Sequence, residues 1–255
     1  MAEEADRLTA ERGRGVSAAV LKHTAFALMV LNHLGLDLCT KALHYTGQLY
    51  WATWYLSRGA FVIFAFQIAE GMRRTHDRRR YILRLALMAL ISEIPFDLFQ
   101  RDMLMYSGSQ NVFFTLTLGA FGIYLIDLLT ERPLLQLGTA LLTGVFAALL
   151  HTDYGSLGVM LIFAFYFLRQ KRKLMLVTAA LVLFFGEFIS CLRYLDFGLD
   201  YYLTTALRCA LMELHGALVF PLLVLYNGEK GKMLPKAFYY AFYPLHLLLL
   251  RLCFG

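Results

Sequence analysis

The chain has 255 residues, of which 59% are hydrophobic and 16% charged, with a mean hydropathy of +0.58. A soluble domain averages about 45–50% apolar residues even with glycine counted, and the excess here sits in long runs such as 174–192 and 235–254. A soluble enzyme is therefore excluded. So is a nucleic-acid partner, because the net charge of +6 is carried in short segments between apolar runs rather than on one face.

Residues 1–15 are polar and charged, which predicts a disordered leader rather than a cleavable signal. The remainder, 16–255, predicts a single membrane domain. Apolar runs long enough to cross a bilayer predict an all-α, polytopic membrane helix bundle of about nine transmembrane helices. In chain order they are 16–36, 49–72, 81–99, 112–129, 134–150, 154–168, 174–192, 202–225 and 235–253. The third ends at a kink-prone Ile94-Pro95 step. The sixth is short, so the fifth and sixth also fit a re-entrant pair.

The loops orient this count. With the N-terminus cytoplasmic, the inner segments 1–15, 73–80, 130–133, 169–173 and 227–236 hold 16 Lys or Arg, and the outer ones hold four: Lys41, Arg101, Arg193 and Arg251. That bias satisfies the positive-inside rule throughout. The cysteines Cys39, Cys191, Cys209 and Cys253 show no CxxC or metal spacing and read as small apolar residues, so no metal is expected. Cys39 and Cys191 both fall near the outer surface, without a spacing signal for a disulfide.

Ionisable residues inside spans are costly and are functional candidates by default. His33, Arg58, Asp97, Asn111, His151, Asp153 and Arg208 fall in the outer half, Glu93, Glu187 and His246 nearer the middle, and Lys22, His23, Glu70 and Arg84 at the inner rim. Each also has a structural reading. Lys22, Arg84 and Glu70 fit snorkelling to headgroups. Arg58 with Glu93 or Asp97 fits an ion pair that only holds helices together. The 151–155 segment fits an interfacial turn, and His215 a core histidine.

Lys22 and His33 are 11 residues apart, roughly 16 Å along a helix. A long anionic donor such as a coenzyme A thioester fits that spacing. Its phosphates would meet Lys22, Arg73, Arg74, Arg78, Arg79 and Arg80, and its reactive end would meet His33. A neutral histidine can take a proton from an attacking amine or hydroxyl, or carry the acyl group transiently. Arg58 or Asn111 can steady the oxyanion. Metal hydrolysis is weaker, since there is no HExxH and His33, His151 and His246 lie on separate spans. A non-enzymatic transporter of a small solute or protons is the competing class, although no internal repeat with interrupted helices is present.

Six stretches carry a family resemblance: LKHTAFALMVLNHLG (21–35), SRGAFVIFAFQIAEG (57–71), YILRLALMALISEIPFDL (81–98), QNVFFTLTLG (110–119), DYGSLGVMLIFAF (153–165) and FYPLHLLLL (242–250). Together they resemble the TraX family of membrane proteins, related to a wider transmembrane acyltransferase superfamily. The resemblance implies an acetylase that uses acetyl-CoA at the bacterial cytoplasmic membrane and acts on an amine such as the amino terminus of pilin. The superfamily's basic-x10-His arrangement on the first helix is matched by Lys22 and His33, with Lys where Arg is usual. Two departures stand out. Asn32-His33 replaces a frequent Asp-His, so no local carboxylate orients the imidazole, and Phe61-Val62-Ile63-Phe64 replaces a frequent FPIF.

The expectation is thus a membrane acyltransferase moving an acetyl or short acyl group from acyl-CoA to an amine or hydroxyl. His33 is expected as base or acyl carrier and Arg58 as oxyanion or carboxylate clamp, with Glu93 and Asp97 orienting groups between them. Asn32, Asn111, His151, Asp153, Tyr154 and His246 would line the site. Lys22, Arg73, Arg74, Arg78, Arg79 and Arg80 would hold the donor.

Overall fold

A computed structural model describes residues 15–44, 46–129 and 131–254; apart from Gly15, the expected leader lies outside them. Within the described residues the structure is helical, with two isolated bridges, Val16 to Tyr226 and Gln110 to Thr152, and no strand. The helices are α1 (Ala18–Asp37), α2 (Gln48–Ser57), α3 (Gly59–Arg74), α4 (Arg78–Arg101), α5 (Val112–Leu128), α6 (Pro133–Leu149), α7 (Gly155–Phe167), α8 (Arg172–Ser190), α9 (Leu199–Glu213), α10 (Phe220–Val224) and α11 (Lys236–Phe254).

Local chemistry sets the helix starts. Ser17 caps α1 by accepting from Val20 N at 3.4 Å, Asp77 caps α4 through Arg80 N at 3.0 Å, and Asn111 caps α5 through Phe113 N at 3.0 Å. Each short polar side chain satisfies an amide that the helix itself leaves unpaired. Pro133 opens α6, where its missing N–H costs nothing.

The predicted spans map onto these helices with three differences. The third does not stop at Pro95: α4 runs through it to Arg101 and ends at Asp102, which adopts a left-handed conformation with φ 59°. The second is broken at Arg58, between α2 and α3. The eighth is broken after α9 by a 3-10 segment, Leu214–Val219, before α10. These two breaks face each other. A Cβ on Gly59 would sit 2.3 Å from Val219 Cγ1, so only glycine lets the backbone of α3 approach that segment so closely.

Four helical stretches are long and apolar enough to cross a membrane: Ala18–Ala42, which includes a π-helical turn after α1, Arg172–Ser190, Leu199–Val224 and Lys236–Phe254. Helices α5, α6 and α7 are apolar but shorter. The 13 residues of α7 extend only about 20 Å at 1.5 Å per residue, short of a bilayer's hydrocarbon. It is the central helix: α3, α5, α6 and α8 all pack on it, and Leu157–Phe165 are almost wholly buried except Met160. A Cβ on Gly158 would lie 2.5 Å from Thr115 Cγ2 and 2.7 Å from the Phe61 ring, so a small residue sets how closely α7 meets α3 and α5.

Many large apolar side chains are exposed on the outside. Leu83, Leu87, Leu90, Ile91 and Ile94 form an exposed stripe on α4, and Val177, Leu181, Phe185 and Ile189 one on α8. Stripes of that extent on several helices are what a bilayer solvates. One end of the bundle is a cationic collar. Glu70, buried at the end of α3, takes Arg74 at 3.0 Å and Arg169 at 2.9 Å, and Arg74 also donates to Gly228 O at 2.6 Å. This is the end that the positive-inside bias of the sequence expects on the cytoplasmic side.

Candidate functional site

A cavity of about 620 Å³ opens among the helices in the half of the bundle away from the collar. Helix α1 contributes Asn32, His33 and Asp37, the α2–α3 break contributes Trp54 and Arg58, and the start of α7 brings Asp153 and Tyr154. Glu187 and Glu213 close it from α8 and α9. Tyr154 is held flat on Phe61, with ring centroids 3.6 Å apart and 6° between planes.

His33 faces this cavity and His246 stands behind it. His33 Nδ1 lies 2.8 Å from His246 Nε2, and the rings are nearly parallel at 14°. His246 Nδ1 lies 3.0 Å from the carbonyl oxygen of Phe242 in its own helix. A carbonyl only accepts, so His246 Nδ1 carries the proton and donates it. In a neutral ring Nε2 is then an acceptor, and His33 Nδ1 must donate to it. The remaining nitrogen, His33 Nε2, has an unprotonated lone pair. The bond network thus assigns both tautomers and leaves a base at the cavity wall. Position 32, next to His33, holds an amide instead of a carboxylate, and it is a second histidine, from α11, that engages His33 Nδ1.

Arg58 is held over the Trp54 ring, 4.2 Å from its centroid, and its Nη1 donates to Glu213 Oε2 at 3.4 Å. The sequence expectation paired Arg58 with Glu93 or Asp97; the partner is Glu213 because the two helix breaks meet there. Arg58 Nε and Asn32 Oδ1 are buried and make no hydrogen bond among the described residues. The cavity therefore offers an unprotonated imidazole nitrogen, with an unpartnered guanidinium N–H and an unpartnered amide oxygen buried in its wall.

A second cavity, of about 290 Å³, lies toward the collar. Met29, Phe64, Val112 and Tyr243 line both, so the two adjoin across these side chains. Lys22, Arg84 and Lys236 line the second one, and no carboxylate does so among the described residues. Lys22 Nζ stands 4.4 Å over the Tyr239 ring.

Several predicted site residues lie elsewhere. Glu93, Asp97 and Asn111 do not line the main cavity; they build the α4–α5 turn. Asn111 is fully buried. It donates from Nδ2 to Ala89 O at 2.8 Å and to Glu93, and its own N–H reaches Glu93 Oε2 at 3.1 Å. Asp97 Oδ2 accepts from Tyr106 N at 2.7 Å. These groups satisfy backbone amides at membrane depth, where no water can. His151 is exposed on the neighbouring turn with φ 52°; its backbone is engaged at both ends, the carbonyl by Gln110 N at 2.9 Å and the N–H by Ala148 O at 3.0 Å. His246 is near the cavity but behind its wall.

The arginines expected to hold a donor engage protein groups instead of lining a cavity. Arg78 donates to Asp127 at 2.6 Å, where Tyr166 donates as well. Arg79 donates to Tyr124 at 2.9 Å, Arg80 pairs with Asp77 at 3.0 Å, Arg74 is in the Glu70 cluster, and Arg73 lies 6.0 Å from the Tyr166 ring centroid. None lines either cavity. Lys22 lines the second cavity, beside Arg84 and Lys236. Among residues without an assigned role, Glu187 and Glu213 line the main cavity; their signal was a carboxylate inside an apolar run, the same signal that singled out Glu93 and Asp97. The cysteines are free, and Cys191 comes close to Cys209 and Glu187 rather than to Cys39.

Together these features define a polytopic membrane helix bundle with a histidine-lined polar cavity inside it. The model of the family described as TraX protein matches residues 17–253, and the chain belongs to that family. No curated protein and no solved structure matches the chain significantly.

Proposed function

We propose that the protein is a membrane acyltransferase that moves an acetyl or other short acyl group from acyl-CoA to an amine or hydroxyl, in the bacterial cytoplasmic membrane. The observation that carries this reading is the Phe242–His246–His33 chain, which leaves His33 Nε2 unprotonated at a cavity wall. The adjoining cavity supports it further: its three cations, with no carboxylate in the lining among the described residues, suit the phosphates of a CoA donor, and only the shared side chains of Met29, Phe64, Val112 and Tyr243 separate it from the His33 cavity.

In the reaction, the acceptor nitrogen or oxygen attacks the thioester carbon. The new C–N or C–O bond forms, the C–S bond breaks, and CoA leaves as thiolate. His33 Nε2 takes the acceptor's proton and returns it to the thiolate sulfur, while His246 holds the ring and stabilises the imidazolium. The free Nε–H of Arg58 suits the carbonyl oxygen as it gains charge.

The test is binding and turnover of acetyl-CoA by the purified chain in detergent, with release of free CoA thiol as readout and amine-bearing peptides and small amines as acceptors. Saturable binding and acceptor-dependent thiol release are expected. A chain that binds no acyl-CoA is not an acyltransferase, and a solute or proton transporter then becomes the better account of the cavity.

A further inference from the structure

We propose that Glu187, Cys191 and Cys209 form a binding site for a thiolate-seeking divalent transition-metal ion of the Zn²⁺ type, at the edge of the main cavity. Glu187 and Cys191 are four residues apart at the end of α8, so they share one face. Cys209 reaches them from α9. The carboxylate oxygen and both sulfurs lie within 4.8 Å of one another.

Zinc takes thiolate sulfur at about 2.3 Å and carboxylate oxygen at about 2.0–2.2 Å in a tetrahedron. Those lengths set ligand separations of roughly 3.5–3.8 Å, so side-chain torsions need to close the trio by about 1 Å. Cys191 is fully buried, whereas Glu187 and Cys209 line the cavity, so the fourth position of the tetrahedron faces the cavity. The surroundings favour a dication. The cavity wall carries Asp37, Asp153, Glu187 and Glu213 against only Lys41 and Arg58 as fixed cations, and those two are paired with Asp37 and Glu213. Glu187 is in no ion pair among the described residues. Binding forms two sulfur–metal bonds and one oxygen–metal bond, each thiol releases its proton to solvent, and nothing is oxidised or reduced. The sequence carries no sign of this, because the cysteines are 18 positions apart and only the packing of α9 on α8 joins them.

The experiment titrates the purified full chain in detergent with Co²⁺, after reduction and removal of the reductant. One equivalent is expected to bind with a thiolate-to-cobalt charge-transfer band and tetrahedral visible bands, both displaced by Zn²⁺. Cys191→Ser and Cys209→Ser each abolish the charge-transfer band or reduce it to that of a single thiolate, and Glu187→Gln weakens binding about tenfold or more. Cys39→Ser and Cys253→Ser leave it unchanged. Should a cysteine variant fail to fold, the wild type decides: Zn²⁺ is expected to protect Cys209, which lines the cavity, and not the exposed Cys253, from N-ethylmaleimide. The proposal is overturned by a wild type that shows no charge-transfer band, by full bands surviving loss of either cysteine, by absence of protection, or by a Cys191–Cys209 disulfide in protein purified without reductant.

Discussion

Arg58 Nη1 lies 3.4 Å from Glu213 Oε2, joining the break in the second span to the end of α9, with the side chains only 14% and 9% exposed. The residues are 155 positions apart. Breaking a buried pair by removing one partner strands the other charge and costs about 3–5 kcal/mol. Arg58→Gln and Glu213→Gln are each expected to lower the melting temperature in detergent. The double variant is expected to recover part of that loss but not turnover, since Arg58 is absent from it. Thermal melts of the four species form the cycle, and additive losses would show that the pair is not coupled.

The cationic cavity makes a prediction about the donor. Each charge-assisted bond to a phosphate contributes about 1.5–3 kcal/mol, so Lys22→Gln, Arg84→Gln and Lys236→Gln are each expected to raise KM for acyl-CoA about tenfold with kcat much less affected. Arg79→Gln and Arg80→Gln, whose side chains engage Tyr124 and Asp77, leave KM unchanged. Steady-state kinetics over a donor series measures this. A raised KM only in the Arg79 and Arg80 variants would move the donor to the loop.

Asn111 separates architecture from chemistry. Asn111→Ala removes the cap of α5 and strips Ala89 O and Glu93 of the side-chain amide, leaving Glu93 only the backbone N–H of residue 111. A lost cap costs about 1 kcal/mol and a stranded buried polar group about 1–3 kcal/mol. Reduced thermal stability is expected, with near-normal activity per folded molecule. Full stability combined with lost turnover would return Asn111 and Glu93 to the reaction.

The bundle was readable because a bilayer demands long apolar runs, and its helices begin within a few residues of where those runs do. The breaks at Arg58 and after Glu213 were not readable, since they depend on Gly59 meeting Val219 across 160 residues. The site divides in the same way. Lys22 and His33 share one helix, so their spacing placed one at each cavity. His33 and His246 are 213 residues apart, and only folding makes them partners. A carboxylate in an apolar run looks the same whether it faces a cavity, as Glu213 does, or backbone amides, as Glu93 and Asp97 do, so the choice between them required the turn at 102–111.

The central claim is that His33 Nε2 is a base held in its tautomer by His246. The most direct measurement is the rate of acyl transfer at saturating donor for wild type, His33→Gln, His246→Gln and His246→Phe. Losing a positioned acid–base group costs about 10²–10⁴-fold, so His33→Gln is expected to fall by that factor while still binding acyl-CoA. His246→Gln keeps an oxygen that can accept from His33 Nδ1 and is expected to retain more activity than His246→Phe, which has no acceptor. Wild-type rates in His33→Gln, or equal rates in His246→Phe and wild type, would contradict the account.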